Sequence, residues 1–499
     1  MKILFGDIHN HCGISYGYGG LKNTLKNAAS HLDFCAVTGH AFWPDIPKVT
    51  DETSFLVDFH QRGFLKLQEH YREYIETIEE FNSPGKFTTF VSYEMHNSHF
   101  GDHHLVSGDS SIPLLKMART PHEWFQESAI YKDTVIIPHH IAYTPEYRGI
   151  SWVDYDEKDF PVVEVVSKHG CSMSDNHPFP YYHSMGGRDS RNTVYAGLRA
   201  GHRFGFVGST DHHAGYPGSY NDGLTAVITE ENNRHSIIEA IKKRRTYAVR
   251  GDRIKCMLTV NGFLPGDIVS DHATTRFIEY ELELSYFLDK LIIFKNLKPI
   301  KIINGEEFVS TNEVGLYKIR IEFGWGSMPE LYTWNFECSA DGGTIIDIEK
   351  CFRGKNILAP SKNVFVPDDV NIIDNHAQLI DNKVIGTVQT SKNHSTTAPS
   401  TCAVVLTVKG SLDTVLSLIV NGKQMQYSIR ELSNGSYTHQ MGITNSQNIK
   451  IYQAIPETQY LLSGIIEDKE GKGKDYYHLE VFQKNGSMIF VSPIYFAPL

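Results

Sequence analysis

Residues 2–11, KILFGDIHNH, run from an apolar segment straight into a polar tip that carries two histidines one residue apart. The same arrangement recurs along the first half of the chain. Phe34–Thr38 ends in Gly39-His40, Thr88–Ser92 in Tyr93-Glu94, and Thr134–Pro138 in His139-His140. Phe204–Gly208 ends in Ser209-Thr210-Asp211-His212-His213, while His103-His104 adjoin Leu105–Ser107. Several of these runs, with Val162–Val166, are apolar throughout rather than alternating, as parallel strands covered on both faces should be. Helical segments lie between them: Phe55–Phe81, dense in Glu, Lys and Arg; a capping box with proline at Thr120-Pro121-His122-Glu123; Arg191–Ala200; and His235–Arg244. The alternation predicts βαβ units, and about seven strands predict an α/β barrel or near-barrel.

In a parallel barrel the strand C-termini share one rim, so these distant tips would converge. Histidines at i and i+2 of an extended segment point the same way, so His9 and His11 can reach one ion. Twenty of the 25 histidines lie between His9 and His235, which locates the chemistry in this half. One histidine at a strand end is usually hydrogen-bonded structure. Six strand ends alike point to a metal centre. Imidazoles with carboxylates suit zinc, manganese or iron, and no clustered thiolates suggest a structural zinc site. A carboxylate such as Glu94 can bridge two ions.

The motifs GDIHNH, VTGH, Glu94 after a strand, PHH and STDHH resemble the PHP (polymerase and histidinol phosphatase) superfamily. GSTDHHAGYPGS, the RRTYA stretch ending in GDRI, and VSPIYF look like its two-domain branch of uncharacterised proteins with a β-rich C-terminal region. The resemblance covers residues 1–253 and is weak beyond. It implies a distorted seven-stranded β/α barrel and a centre of one to three ions, usually in phosphoester hydrolases. It implies metal ligands at His9, His11, His40, Glu94, His104, His139, Asp211 and His213, with His103, His140 and His212 as the adjacent alternatives. Two departures stand out. Ser15-Tyr16-Gly17-Tyr18 lacks the Asp or His that often follows His-x-His, and Gly39 stands where the family has Asp. The expectation is therefore one or two divalent ions.

Around this set, Asp7 and Glu164 are candidates to orient a ligand. Glu94, Asp211 and His169 are the catalytic candidates, His169 as a general acid, although a loop histidine is its plainer reading. Lys168, Arg188 and Arg191 could hold an anionic group, and His96 and His99 could line the pocket.

From about Arg253 the texture changes. Short alternating runs recur between turns: Met257–Val260 before Asn261-Gly262, Phe277–Leu284, Leu291–Phe294, Leu316–Phe323 and Thr333–Cys338. After the polar stretch Asn371–Ser400 come Cys402–Val408, Leu416–Val420 before Asn421-Gly422, His478–Gln483 and Met488–Val491. These are hairpin signals, so residues 254–499 are expected to form an antiparallel, sandwich-like β region, with possible units at about 254–370 and 400–499.

A formal charge of −11 argues against nucleic-acid binding, because phosphate neutralisation needs basic patches. The cluster Lys242-Lys243-Arg244-Arg245 reads as a solvated helix end or a binding patch. Seven dispersed cysteines without a CxxC pair suit a reducing compartment. No run approaches the roughly 18 apolar residues of a membrane span. A cytoplasmic protein acting on a small anionic molecule is expected. The leading reading is a metal-dependent hydrolase, most simply a phosphoesterase using metal-activated water at the rim. The others are a hydrolase or lyase on a carbohydrate, helped by Tyr317, Trp325, Tyr332 and Trp334, and a degenerate non-catalytic binding module.

Overall fold

The computed structural model describes residues 1–179, 185–271, 273–306, 313–329, 331–355, 374–392 and 400–497. The chain is a strand-rich mixed α/β protein with several sheets. The apolar runs become strands buried on both faces. β1 (Lys2–Asp7), β2 (Phe34–Phe42) and β3 (Thr88–Met95) pair in parallel, and every residue of β2 and β3 is buried. Two helices cover them: α1 (Leu21–Ala29) and α2 (Ser54–Phe81). Helix α2 turns Leu67, Tyr74 and Ile78 inward, a stripe at helical spacing. The Tyr74 hydroxyl donates to Val37 O at 2.8 Å and accepts from Ser92 N at 2.8 Å, tying the helix to both strands.

That packing accounts for the glycine at position 39. A Cβ built on Gly39 would lie 2.8 Å from the Leu67 methyls, so this position faces α2 and not the rim.

The direction of the next strands differs from expectation. β4 (His103–Ser107) runs antiparallel to β3, with His104 opposite Glu94. β5 (Thr134–Pro138) reverses again, placing Pro138 opposite His103. Hence His103 and His104 reach the shared end from the beginning of their strand, while His139 reaches it from the end of its own. Helix α3 (Pro121–Ser128) starts at Thr120, whose hydroxyl accepts from Glu123 N at 3.2 Å. The Glu123 carboxylate accepts from Arg119 N instead of Thr120 N, so the box is only half formed.

β6 (Val162–Ser167) turns back into the two-residue β7 (Gly170–Cys171), which pairs antiparallel with it, and β6 pairs in parallel with β8 (Gly205–Gly208). Between them α4 (Val194–Arg199) fills the C-terminal part of the expected helix. β9 (Leu224–Thr229), α5 (Arg234–Lys242) and β10 (Thr246–Arg250) follow, with β9 antiparallel to both β1 and β10.

The main sheet does not stop at β10. Met488–Phe496 pairs along it, followed outward by Tyr476–Gln483, Leu288–Lys295 and Lys298–Asn304. A three-stranded sheet (Lys255–Val260, Arg276–Glu283, Leu461–Asp468) and two further antiparallel sheets complete the second half. Those last two enclose a separate core containing Tyr317, Phe323, Trp334, Phe336 and Leu406. Tyr317 and Trp334 are fully buried there, and Trp334 Nε1 donates to Thr390 Oγ1 at 2.8 Å. These two aromatics are core and offer no sugar-binding face. The stretch 371–400, polar in sequence, holds two strands, His376–Ile380 and Lys383–Ser391. Lys383–Ser391 pairs with Leu331–Asp341, and its buried residues are only every second one, which dilutes the apolar signal. At Asn421-Gly422 both residues have positive φ (47° and 83°), the tight turn that this dipeptide predicts between Val415–Val420 and Lys423–Ser428. Among the described residues no helix is long and apolar enough to cross a membrane.

Candidate metal centre

The segments after β1 and β8 are laced together by their backbones. Asp211 N donates to His9 O at 2.7 Å, and His11 N donates to His212 O at 2.8 Å. Asp7 fixes this junction from below. Its carboxylate accepts from Thr210 Oγ1 (2.5 Å), Gly218 N (2.9 Å), Thr210 N (3.1 Å) and His9 N (3.3 Å). Burial pushes its pKa up to about 6 in spite of these donors. Asp7 thus shapes the loop. Asp211 itself sits at φ +50°, a left-handed conformation uncommon for a non-glycine residue, held by those bonds.

Within that frame each imidazole has one occupied and one inward nitrogen. His9 Nδ1 lies 2.8 Å from Glu164 Oε2, and His11 Nδ1 lies 2.7 Å from Thr38 O. Both partners only accept, so each Nδ1 carries a proton. The two Nε2 atoms are then turned toward each other, 3.2 Å apart. Asp211 Oδ1 is 3.0 Å from His11 Nε2 and 3.5 Å from His9 Nε2. Glu94 completes the ring. Its Oε2 stands 3.7 Å from His9 Nε2, 3.7 Å from His11 Nε2 and 3.8 Å from His40 Nε2, yet accepts no hydrogen bond although buried. Its Oε1 lies 3.2 Å from His139 Nε2 and 3.1 Å from His96 Nδ1.

This pattern fits a divalent cation. Tetrahedral bonds of 2.0–2.1 Å put neighbouring ligand atoms about 3.3 Å apart, inside the 3.0–3.8 Å spread found here, and the contacts to Glu94 Oε2 are all beyond hydrogen-bond length. A buried carboxylate oxygen without a donor is costly unless a cation faces it. His104 Nε2 is likewise buried without a hydrogen-bond partner. Three overlapping groups bring their ligand atoms within 4.8 Å of one another and could hold a metal ion: His9, His104 and His139; His11, His40 and His213; His9, His11 and Asp211.

The eight expected ligands, His9, His11, His40, Glu94, His104, His139, Asp211 and His213, are therefore gathered at one place. Of the adjacent alternatives, His103 turns its Nδ1 to Gly101 O at 2.9 Å and packs on Phe160. His212 lies away from the cluster, where its ring carbon nears Gly354 of the second half. His140 is closer, with Nε2 3.3 Å from Asp102 Oδ2, in a group with Glu94, Asp102 and His139.

The electrostatics follow from this crowding. Burial opposes charge on His9, but Asp211 and Glu164 outweigh it and hold the pKa well above the usual value. Burial also opposes charge on Glu94, where His96, His40 and His139 prevail and hold the carboxyl well below its usual range.

His169 stands beside the cluster, its Nε2 2.6 Å from Asp211 Oδ2 and its Nδ1 2.6 Å from the Tyr143 hydroxyl. Lys168 is turned to Asp222 at 3.4 Å. Arg188 donates to Ser174 O, and the exposed Arg191 is paired with Asp189. His99 is on the surface, 3.7 Å from Asp154.

No motif in the sequence singles out Asp102, Arg148, Tyr143 or Tyr16; His96, a candidate to line the pocket, lies against Glu94. Asp102 is fully buried and joins His96, His140 and Arg148; Tyr16 reaches His96 Nε2 at 3.0 Å. The signal was the Asp ahead of His103-His104, and it is readable only once β4 is known to be reversed.

Known proteins resemble parts of this chain. Residues 219–275 match a family described as a protein of unknown function (DUF3604). Uncharacterized proteins of Chlamydia trachomatis and Chlamydia pneumoniae are 28% identical over 200 residues and 30% identical over 203 residues. Each match takes in 36% of this chain and 31% of the relative, so the chain spans about a third of the length of these relatives. Among solved structures, a two-domain protein containing predicted PHP-like metal-dependent phosphoesterase, from Bacteroides vulgatus, is similar at 16% identity and a TM-score of 0.33. That similarity covers 59% of this chain and 79% of the other. At such a score it carries no argument for the site, which rests on the geometry above.

Proposed function

We propose that this protein is a metal-dependent phosphoester hydrolase built on a PHP-type β/α barrel, with one or two ions of zinc, manganese or iron. The observation that carries the metal reading is the bare, buried Glu94 Oε2 ringed by the Nε2 atoms of His9, His11 and His40. His9, His11, Asp211 and Glu94 would hold a first ion, with His40, His104, His139 and His213 providing the remaining donors. A divalent ion in such a site supplies Lewis-acid polarisation of the ester and lowers the pKa of water.

The chain's own residues do the rest. Glu164 and Thr38 O keep the Nδ1 protons of His9 and His11 engaged, so that both rings present Nε2 inward. His169, held between Tyr143 and Asp211, would give a proton to a leaving oxygen at the edge of the cluster. The phosphoester rests on the sequence resemblance, and the substrate is taken as a small anion. All seven cysteines are buried free thiols, which supports the reducing, cytoplasmic setting.

A panel of phosphomonoesters and phosphodiesters, assayed with protein loaded in turn with zinc, manganese and iron, tests this. Turnover that is lost on chelation and in His9→Ala is expected. Inactivity across the panel in protein that does contain metal would reject the phosphoester. Absence of transition metal from every gently purified preparation would favour a non-catalytic binding module instead.

A further inference from the structure

The basic run Lys242-Lys243-Arg244-Arg245 is divided by the fold. Arg245 pairs with Asp267 at 2.7 Å, and Lys243 lies on the surface near Glu239. Lys242 and Arg244 instead line a cavity of about 530 Å³, a size typical of small-molecule sites. The cavity lies at the opposite strand ends from the metal cluster. Its wall includes Thr134 and Val135, the first residues of β5, whose far end leads into His139. A strand of that length spans about 16 Å.

Charge in this cavity is unbalanced. Two acids line it, but both are engaged: Glu157 holds Arg203 through Nε at 2.9 Å, and Asp159 holds His122 at 2.6 Å. The basic groups are not matched in return. Among the described residues no carboxylate lies within ion-pair distance of Arg244, whose Nε donates to Gly266 O at 3.0 Å. Lys158 has no ion-pair partner among the described residues either, and Lys242 has only Glu239 at 3.8 Å. Arg244 is half-buried, and that burial pulls its pKa down, outweighing the opposing pull of Tyr495 and of the more distant Glu157.

The backbone adds a second observation. Arg244 follows α5 at φ +59°, the left-handed position after a helix that glycine usually fills. A long cationic side chain is thereby held, at a conformational cost, where it has no acidic partner. Phe125, Val135, Pro161 and Ile268 add an apolar part to the wall.

We propose that this cavity binds a small organic anion, its carboxylate or phosphate on Arg244 and Lys242 and its apolar body against Val135, Pro161 and Ile268. Among the described residues only Nε of Arg244 is hydrogen-bonded, which leaves the other two guanidinium nitrogens for a forked contact, and Lys158 at the mouth adds to the attraction. The site is separate from the metal centre, so it stands whether or not the phosphoesterase reading does.

Fluorescence titration of the metal-loaded protein with 1-anilinonaphthalene-8-sulfonate, followed by displacement with octanoate, tests the proposal. Saturable binding of one probe per chain is expected, displaced by octanoate. Arg244→Gln should weaken it about tenfold, the loss expected of a charge-assisted contact. Ala129→Trp, which fills the cavity from its exposed rim, should abolish binding and keeps the test decisive if Arg244→Gln folds poorly. His9→Ala should bind the probe as the parent does. Unchanged affinity in Ala129→Trp, or loss in His9→Ala, would overturn the proposal.

Discussion

Glu94 and Asp252 are both buried carboxylates, and their surroundings show two ways of keeping a charge inside a protein. Around Asp252 every place is filled. Oδ1 accepts from the Tyr220 hydroxyl at 2.7 Å and Arg320 Nη1 at 2.9 Å; Oδ2 accepts from Gln483 Nε2 at 2.8 Å and Asn485 Nδ2 at 2.6 Å. One cation balances the charge, and the donors come from chain segments far apart in sequence. Burial works against the charge on Asp252, and Arg320 leads the groups that hold its pKa below the usual value. Glu94 has imidazole nitrogens on every side, an oxygen with no donor, and no lysine or arginine as an ion-pair partner among the described residues. A filled shell makes a joint, and an open shell of lone pairs makes a place for a cation.

The sharpest way to break this contrast is at the open site. His9→Ala and Asp211→Ala are expected to lower bound metal per chain, read by elemental analysis, and to remove hydrolysis. Full metal content in both variants would show that the open shell is not the ion's seat. At the closed site Arg320→Met should destabilise the fold by about 3–5 kcal/mol, the usual result of leaving one partner of a buried pair. Denaturant unfolding measures that loss, and metal content should stay at the parental value. A joint whose rupture emptied the metal centre would erase the distinction.

A milder change sharpens the comparison. Glu164→Gln leaves every inner donor of the cluster in place but weakens the hold on His9 Nδ1. Metal affinity, titrated by competition with a chelator, should fall about 10–100-fold. Equal affinity would mean that His9 needs no outside support.

The smallest effect concerns a third buried carboxylate, Glu480, which lies 3.7 Å from His177 Nε2 and 3.6 Å from His478 Nε2. Burial disfavours its charge, yet the two histidines draw its pKa down to about 2. Burial also disfavours charge on His177, but Cys171 and Glu480 hold its pKa up at about 10. The carboxylate's contribution is present above its usual 4.5 and is lost as pH falls toward 2. The imidazolium's contribution is complete below its usual 6.5 and is lost as pH rises toward 10. The Tm advantage of the parent over His177→Gln should therefore be widest between about 4.5 and 6.5 and narrow on both sides. A pH-independent difference would show that the pair carries no charge.

Much of the candidate site was legible in the sequence because its signal is local. An apolar run bordered by His, Glu or Asp marks a strand end wherever the strand lies, and the structure gathers eight such residues, seven from segments that follow the run and His104 from one that precedes it. The partners of those residues were not legible in the same way. Asp102 and His96 reach the cluster because β4 turns back on β3, and that pairing brings Glu94 opposite His104. Nothing in the five residues of β4 records its direction, since a short strand buried throughout reads alike both ways. Gly39, which seemed to subtract a ligand, instead faces Leu67 of a helix whose packing the motif does not contain.

The second half shows the same division. Its alternating runs and Asn-Gly turns identified the strands and their local hairpins. They did not reveal that Met488–Phe496 would return across some 240 residues to pair with β10, register Tyr247 opposite Val491. By itself, then, the sequence determined which residues end strands, which turns are tight and which half carries the histidines and carboxylates that could hold a metal, because each is set by neighbours along the chain. Only the tertiary structure decided which lone pairs face one another, which carboxylate is closed off and which is left open. Those depend on strand direction and register, which long-range packing selects among locally equivalent choices.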